Sequence, residues 1–208
     1  MNRIGSLPGL WALFLCLGGA ASLSASPVLT LIPPNLSGIP GSTVGWGFTI
    51  DNDAGYIEIT SSQFCLNPVN FPLVCPSPTT GTYNDIISTP PEDIILGPPG
   101  ALDAPSSVTQ GFNAVTDMGV GSFQIDPGAT PGAVDSGEIV LTYNLSDLNP
   151  NNLNYDPNVD LISTGLVLSA NASVTVNATP EPATAGLLAV ALAALAGQAL
   201  LKSFNRVR

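Results

Sequence analysis

The sequence contains no histidine and only four basic residues, all at its two ends: Arg3, Lys202, Arg206 and Arg208. All fifteen Asp and Glu residues lie between residues 27 and 182, so this middle part carries carboxylates and no cation. A surface of that charge repels nucleic acid and anionic lipid, and we expect no nucleic-acid partner. The absence of histidine also excludes Ser–His and Cys–His catalysis and zinc sites built on imidazole.

Lysine is missing from the middle part as well, so a Ser or Thr nucleophile there has no ordinary general base. Two carboxylates at a suitable separation could still hydrolyse a glycosidic bond, but spacing in the sequence does not place two carboxyls across a cleft. We therefore expect a protein that is not an enzyme and that uses no cofactor and no metal.

Residues 1–26 have the order of a secretory signal peptide. Arg3 supplies the charge, residues 10–17 form a short apolar core, and small residues follow at 18–22. Cleavage is expected between Ser22 and Ser26. The apolar core is too short to span the roughly 30 Å of membrane hydrocarbon, which disfavours a permanent N-terminal anchor.

Cysteine is scarce, with three in the chain: Cys16, Cys65 and Cys75. Cys16 lies in the expected signal peptide and would be removed with it. The remaining pair, in an exported protein, suggests a disulfide between Cys65 and Cys75. Two unpaired thiols remain the alternative, because the sequence does not show whether the Cα atoms lie close enough to be bridged.

Residues 183–201 form a long uncharged segment rich in Ala and Leu. As a helix it would be about 28 Å long, enough for one membrane crossing. The basic tail 202–208 follows directly, and basic residues are retained on the cytoplasmic side, which places the acidic middle part outside. A buried core helix is the alternative, but the segment has no polar stripe.

Residues 179–208 combine the tripeptide Pro180, Glu181, Pro182 with this apolar segment and basic tail. The order resembles the PEP-CTERM sorting signal of Gram-negative bacteria, which is also catalogued as an ice-binding protein C-terminal domain, a name for the anchor and not for an activity. The resemblance implies that an exosortase, a membrane cysteine transpeptidase-like enzyme, recognises Pro180, Glu181 and Pro182 and cuts near them. The protein would be anchored transiently and then released or transferred to the cell surface or the extracellular space.

Residues 27–178, which we call the β domain, show the period-two alternation of half-buried strands. Turn-forming residues separate the alternating segments, and no part shows sustained helical periodicity. The alternating apolar residues are Val44, Trp46, Phe48 and Ile50; Ile57 and Ile59; Phe123 and Ile125; Ile139, Leu141, Tyr143 and Leu145; and Leu166, Leu168, Ala170, Ala172, Val174 and Val176. The pattern predicts a mainly β fold, an antiparallel β-sandwich of immunoglobulin-like type, with a jelly roll as the second choice.

Taken together, these features predict an exported, non-enzymatic surface or extracellular-matrix protein of the kind found in biofilms. Its expected partners are the secretion machinery, an exosortase and, through residues 183–201, the membrane, with exopolysaccharide left open. The alternative is an extracellular module that binds polysaccharide, calcium or another exported protein. Two carboxylate-rich segments, 51–58 and 147–160, could supply calcium ligands, although Asp, Asn and Gly are also the ordinary residues of turns.

Overall fold

The computed structural model describes residues 26–67, 74–88 and 94–179, in which the alternating segments form strands and there is no helix. The ten strands are β1 Val28–Ile32, β2 Asn35–Gly38, β3 Thr43–Asp51, β4 Tyr56–Leu66, β5 Gly81–Asp85, β6 Ile94–Leu96, β7 Ser107–Gln110, β8 Gly121–Ile125, β9 Val134–Ser146 and β10 Leu161–Val176. The prediction of a mainly β protein is confirmed for these residues.

The first sheet has the order β1-β3-β8-β5, and β7 also pairs with β3. β7 and β8 lie one after the other along β3, because Ser107 pairs with Asp51 and Gly121 pairs with Trp46. Residues 111–120 leave the sheet between these two strands. β3, which the sequence predicted, is therefore the central strand of this sheet.

The second sheet has the order β2-β10-β9-β4-β6. Its pairs are antiparallel except for β2, which runs parallel to β10. The prediction of a purely antiparallel sandwich is therefore wrong at this edge. The reason is that the chain crosses from the first sheet to the second at Pro33 and Pro34 without reversing direction, and proline cannot donate to a β-ladder.

The two sheets pack face to face over one apolar core, to which the predicted alternating faces contribute. Trp46, Phe48 and Ile50 of β3 are fully buried, as are Ile139 and Leu141 of β9. Aromatic rings join the sheets at the centre, since the Phe64 ring of the second sheet lies 5.3 Å from that of Trp46 and 5.9 Å from that of Phe123, measured between centroids. The assignment of Trp46 and Phe48 to the core is confirmed.

The sequence pattern predicts only the first half of β4. A β-bulge changes which residues face inward in the second half, so the alternation does not continue there. The register against β9 shifts between Ile59 and Ser61. Ile57 and Ile59 are buried before the bulge, and Ser62 and Phe64 are buried after it. A strict period of two predicts only the first of these pairs, since a bulge inserts one extra residue into the strand.

The strands place the loops at two opposite ends of the β domain. The loop end consists of residues 52–55, 97–106 and 147–160, and β1 begins beside it, where Val28 pairs with Asp51. The exit end consists of residues 39–42, 126–133 and 177–179, and β10 finishes there. The chain thus enters the β domain at one end and leaves it at the other.

The structure does not describe residues 1–25 and 180–208. The predicted signal peptide and sorting tail therefore lie outside the described residues, apart from Ser26 and Thr179. Within residues 26–67, 74–88 and 94–179, no helix is long and apolar enough to cross a membrane.

Candidate functional site

The sorting tripeptide Pro180, Glu181 and Pro182 lies outside the described residues. The end of β10, which precedes it, is described and is held by backbone hydrogen bonds. Val176 donates its N–H to the Ala133 carbonyl at 2.9 Å and accepts from the Gly132 N–H at 2.7 Å. Asn177 then donates its N–H to the Gly38 carbonyl at 2.7 Å. Ala178 and Thr179, the next two residues, are exposed. The chain is therefore held up to Asn177 and reaches the tripeptide directly from the exit end.

Cys65 and Cys75 are joined by a disulfide, with their Cα atoms 4.7 Å apart. Cys65 is fully buried in the last part of β4. Beside it, the Leu66 N–H donates to the Pro76 carbonyl at 3.0 Å. The bond and this backbone contact attach the segment that precedes β5 to the edge of β4.

Asp135, at the start of β9, holds the same segment through its carboxylate. It accepts hydrogen bonds from the backbone N–H groups of Thr79 and Thr80 at 2.9 and 2.8 Å and from their hydroxyls at 2.6 and 2.8 Å. Burial would raise the pKa of Asp135, but these hydrogen bonds outweigh it and hold the pKa below its ordinary value. The carboxylate is consequently charged at neutral pH and serves the fold.

Three loops meet at the loop end around Tyr56, Asp103 and Asn149. The Tyr56 hydroxyl donates to Asp103 Oδ1 at 2.7 Å, and Asn149 Nδ2 donates to the Asp103 carbonyl at 3.1 Å. The hydrogen bond from Tyr56 lowers the pKa of Asp103, and the same bond raises the pKa of Tyr56. A shallow groove of about 400 Å³ opens here, lined by Asp103, Asn149, Asn151, Asn152, Leu153 and Asn154.

Asn52 is a buried residue that holds two loops of the loop end together. It is 1% exposed, and its Nδ2 donates to the Gly55 and Gly97 carbonyls at 2.8 and 2.9 Å. Its Oδ1 accepts the Ala54 N–H at 3.0 Å. Asn52 therefore ties the β3–β4 turn to the start of the loop that follows β6, and nothing in the sequence distinguishes it from the neighbouring turn residues.

The two carboxylate-rich segments use their side chains to shape turns. In 147–160, the side-chain oxygens of Asn149, Asn152 and Asp156 each accept the backbone N–H two residues further on, at 2.9 Å in each case. In 51–58, the Asn52 side chain shapes the turn through Ala54 and Gly55, and Asp51 instead accepts from the Ser107 hydroxyl of β7 at 2.6 Å. Among the residues that the structure describes, no group of three or more His, Cys, Asp or Glu is arranged to hold a metal ion.

A buried polar network, which the sequence does not indicate, joins the two sheets near Ser62. The Tyr83 hydroxyl donates to Ser62 Oγ at 2.7 Å, and Ser62 Oγ lies 2.7 Å from Asp85 Oδ1 and from the Val120 carbonyl. Burial raises the pKa of Tyr83 far above its ordinary value, so the phenol stays a hydrogen-bond donor. The β4 bulge turns Ser62 inward, which is why period-two alternation misses it.

These polar groups hold the fold together through hydrogen bonds. Throughout the described part of the chain, every buried side-chain nitrogen or oxygen has a hydrogen-bond partner. A second groove, of about 460 Å³, runs between β4 and β5 beside Phe64 and Tyr83. Its walls are the end of β4, residues 75–78 and the start of β5.

No protein-family model matches the chain, and no curated protein matches it. The chain is similar to a solved structure described as "AvmM Catalyzes Macrocyclization in Alchivemycin A Biosynthesis", at 11% identity and a TM-score of 0.27. That match covers 76% of this chain and 92% of the other. A likeness this distant supports no conclusion about fold or activity.

Proposed function

We propose that this chain is an exported, non-enzymatic protein of the cell surface or extracellular matrix, sorted by an exosortase at Pro180, Glu181 and Pro182. The observation that carries the proposal is the order of features along the chain: a signal at 1–26, an acidic β domain, the tripeptide, the apolar segment 183–201 and a basic tail. The β domain is the cargo that this order delivers to the outside.

Two structural features support this proposal. The Cys65–Cys75 disulfide suits an oxidising compartment outside the cytoplasm. The backbone hydrogen bonds at Val176 and Asn177 end just before the tripeptide, with two exposed residues between. A processing enzyme could therefore approach Pro180 without unfolding the β domain.

We further propose that the β domain is an immunoglobulin-like sandwich. Constant-type immunoglobulin domains have strands A, B, E and D in one sheet and C, F and G in the other. Here β1, β3, β8 and β5 correspond to the first set, and β4, β9 and β10 to the second. The β9–β10 hairpin within one sheet matches the F–G hairpin and favours this assignment over a jelly roll. β6 departs from the pattern, because it follows β5 in the chain and yet pairs with β4.

The test of the sorting proposal is the C-terminus of the protein found outside the cell. The wild-type chain should lose residues 183–208, as shown by mass spectrometry, and should keep them in a strain without exosortase. A Pro180→Ala/Glu181→Ala/Pro182→Ala variant should stay in the membrane fraction with its tail intact. Asn177→Ala is the matched control, because it changes an exposed side chain in the same connection, and it should be processed normally. An extracellular wild-type protein that retains residues 183–208 contradicts the proposal.

A second function, binding of polysaccharide or of another exported protein, has one structural observation in its favour. Leu102 and Leu153 are fully exposed at the loop end, and Leu153 lines the groove beside Asp103. Exposed apolar side chains mark a contact surface where they form one patch, and the hydrogen bond from Asn149 to Asp103 brings the loops that carry these two leucines together. A glycan array of the secreted protein tests the polysaccharide case, with Leu102→Ser/Leu153→Ser as the comparison. Equal signals from both proteins would place any binding elsewhere.

A further inference from the structure

We propose, on the basis of the anchor proposed above, that the β domain stands on the membrane in one orientation before processing. The exit end lies against the lipid headgroups of the outer face, and the loop end points away from the bilayer. Three observations carry this: the path of the chain, the length of the connection and the distribution of carboxylates.

The path of the chain defines the axis. β1 begins beside the loop end, and β10 runs through the second sheet to the exit end. At about 3.3 Å per residue, a strand of the length of Leu161–Val176 measures about 50 Å, so the two ends are far apart. The chain can reach the proposed membrane segment only from the exit end.

The connection to the membrane segment is short. Asn177 is held by the Gly38 carbonyl, and the uncharged segment begins at residue 183. A fully extended chain spans at most about 3.6 Å per residue, so these six steps cover about 22 Å or less. The headgroup layer itself occupies roughly 5–8 Å on each side of the hydrocarbon. The exit end therefore lies no more than about 15 Å above the headgroup layer.

The carboxylates are distributed so that this orientation keeps those of the loop end away from the membrane, while Asp126 and Glu181 stay near it. At and beside the loop end lie Asp51, Asp53, Asp103, Asp147, Asp156 and Asp160. Within the exit end as defined, Asp126 is the only charged residue. Asp135, close by, is buried and fully hydrogen-bonded. Bacterial membranes contain anionic lipid, whose negative surface potential repels carboxylates within about a Debye length.

The side chains of the exit end suit an interfacial position. Ile39 is 41% exposed there, and Val134, directly after the 126–133 loop, is 53% exposed. If the domain lay on its side, carboxylates such as Glu138, on the outer face of the second sheet, or Asp117, in the loop that leaves the first sheet, would meet the headgroups. The upright orientation avoids both contacts and presents Leu102 and Leu153 outward.

The experiment uses the full mature chain, purified from a strain without exosortase and reconstituted into vesicles of phosphatidylethanolamine and phosphatidylglycerol. A fluorophore is attached to Thr130→Cys at the exit end or to Leu153→Cys at the loop end. Both side chains are exposed, so neither change disturbs the core. Lipids with a nitroxide on the headgroup then quench whichever probe lies near them.

The expected result is quenching of the Thr130 probe that is several-fold stronger than quenching of the Leu153 probe. A flexible Gly/Ser insertion between Thr179 and Pro180 should reduce the difference. Equal quenching of the two probes, or stronger quenching at Leu153, would overturn the orientation. An insertion that leaves the difference unchanged would show that the short connection does not set it.

The failure of the anchor can be told apart from the failure of the orientation. An alkaline carbonate wash removes proteins that only adhere to vesicles. A chain that is washed off has no spanning anchor, and both the proposed sorting function and the orientation are then wrong. A chain that resists the wash but shows equal quenching keeps its anchor and contradicts the orientation alone.

Discussion

At the scale of single residues, three buried polar side chains connect segments that are far apart in the sequence. Asn52 connects the β3–β4 turn to the loop after β6, Asp135 holds the segment before β5, and Ser62 joins β4 to β5 and Val120. Each is fully paired, as buried polar groups must be to avoid a desolvation cost. The hydrogen bonds of these residues hold the connected segments together.

Replacing Asn52 with alanine should destabilise the protein strongly. The change leaves the Gly97 carbonyl and the Ala54 N–H without the partners that Asn52 provides, inside the loop end. Each unsatisfied buried group costs about 1–3 kcal/mol, so we expect a loss of about 3 kcal/mol in the free energy of unfolding, measured by urea denaturation. Asn158→Ala, an exposed turn residue in 147–160, is the control and should change the free energy by less than about 0.5 kcal/mol. Equal effects of the two substitutions would contradict the role given to Asn52.

Asp135 should make the stability depend on pH. Because its pKa in the folded protein is held below the unfolded value of about 4, its contribution is present above that pH. The contribution is lost as the pH falls through the folded pKa. Asp135→Asn should therefore destabilise the protein by about 2 kcal/mol or more at neutral pH and by much less under strongly acidic conditions. Urea denaturation at several pH values measures this, with the exposed Asp147→Asn as the control. A pH-independent difference between wild type and Asp135→Asn would be the contrary result.

At the scale of secondary structure, the β4–β9 pair decides the shape of the second sheet. The bulge after Ile59 changes which residues of β4 face the core. At the end of β4, Leu66 pairs with Gly137 of β9. A Cβ atom on Gly137 would lie 2.0 Å from the Cys65 carbonyl oxygen, a distance that no real contact has. The close approach of the two backbones beside the disulfide therefore requires glycine at this position.

Gly137→Ala should loosen the pairing of β4 with β9. Because the clash is with backbone and not with a movable side chain, we expect a loss of about 2–3 kcal/mol in the free energy of unfolding. Hydrogen exchange should also become faster at Leu66, whose N–H donates to Pro76. Gly128→Ala is the matched control, since an added Cβ there meets nothing within 4 Å. If the two variants unfold at the same denaturant concentration, the close approach at Gly137 has no energetic consequence.

At the scale of the whole molecule, the notable property is the unequal distribution of charge between the two ends. The loop end gathers carboxylates from β3 and from the loops 52–55, 97–106 and 147–160, and no cation lies between residues 27 and 182 to pair with them. Mutual repulsion of like charges destabilises a compact state, and dissolved salt screens it. Stability should therefore depend on ionic strength more than on any particular ion.

Raising the salt concentration from a low value to about 0.15 M should increase Tm by a few degrees, because the Debye length then falls to about 8 Å. Calcium and magnesium chloride at equal ionic strength should act alike, since the Asx side chains of 147–160 are already engaged in turns. Differential scanning calorimetry with and without a chelator makes the comparison. A saturable increase in Tm with calcium alone would show a calcium site and revive the binding alternative.

The residues that shape the loops could be predicted from the sequence only where the local pattern determines the structure. The turns at residues 39–42, 51–55 and 126–132 follow from Gly, Pro, Asn and Asp, which favour turn conformations locally. Asn52, Ser62 and Asp135 were not predictable as organising residues, because each also has a partner more than 20 positions away in the chain, which local pattern does not reveal. The sorting tripeptide stays a prediction from sequence, since it lies outside the described residues.

The sequence by itself determined the strand type and the inward positions of β3, β9 and β10, because alternation with a period of two assigns each side chain to one face of a sheet. It also determined that the middle of the chain is acidic throughout. Only the tertiary structure decided the bulge in β4, the parallel pairing of β2 with β10 and the collinear arrangement of β7 and β8 along β3. Only the structure, too, showed that most exposed carboxylates of the described residues lie near one end and that β10 leaves the β domain at the other. The reason is that register and strand order depend on contacts between distant segments, which local propensity does not encode.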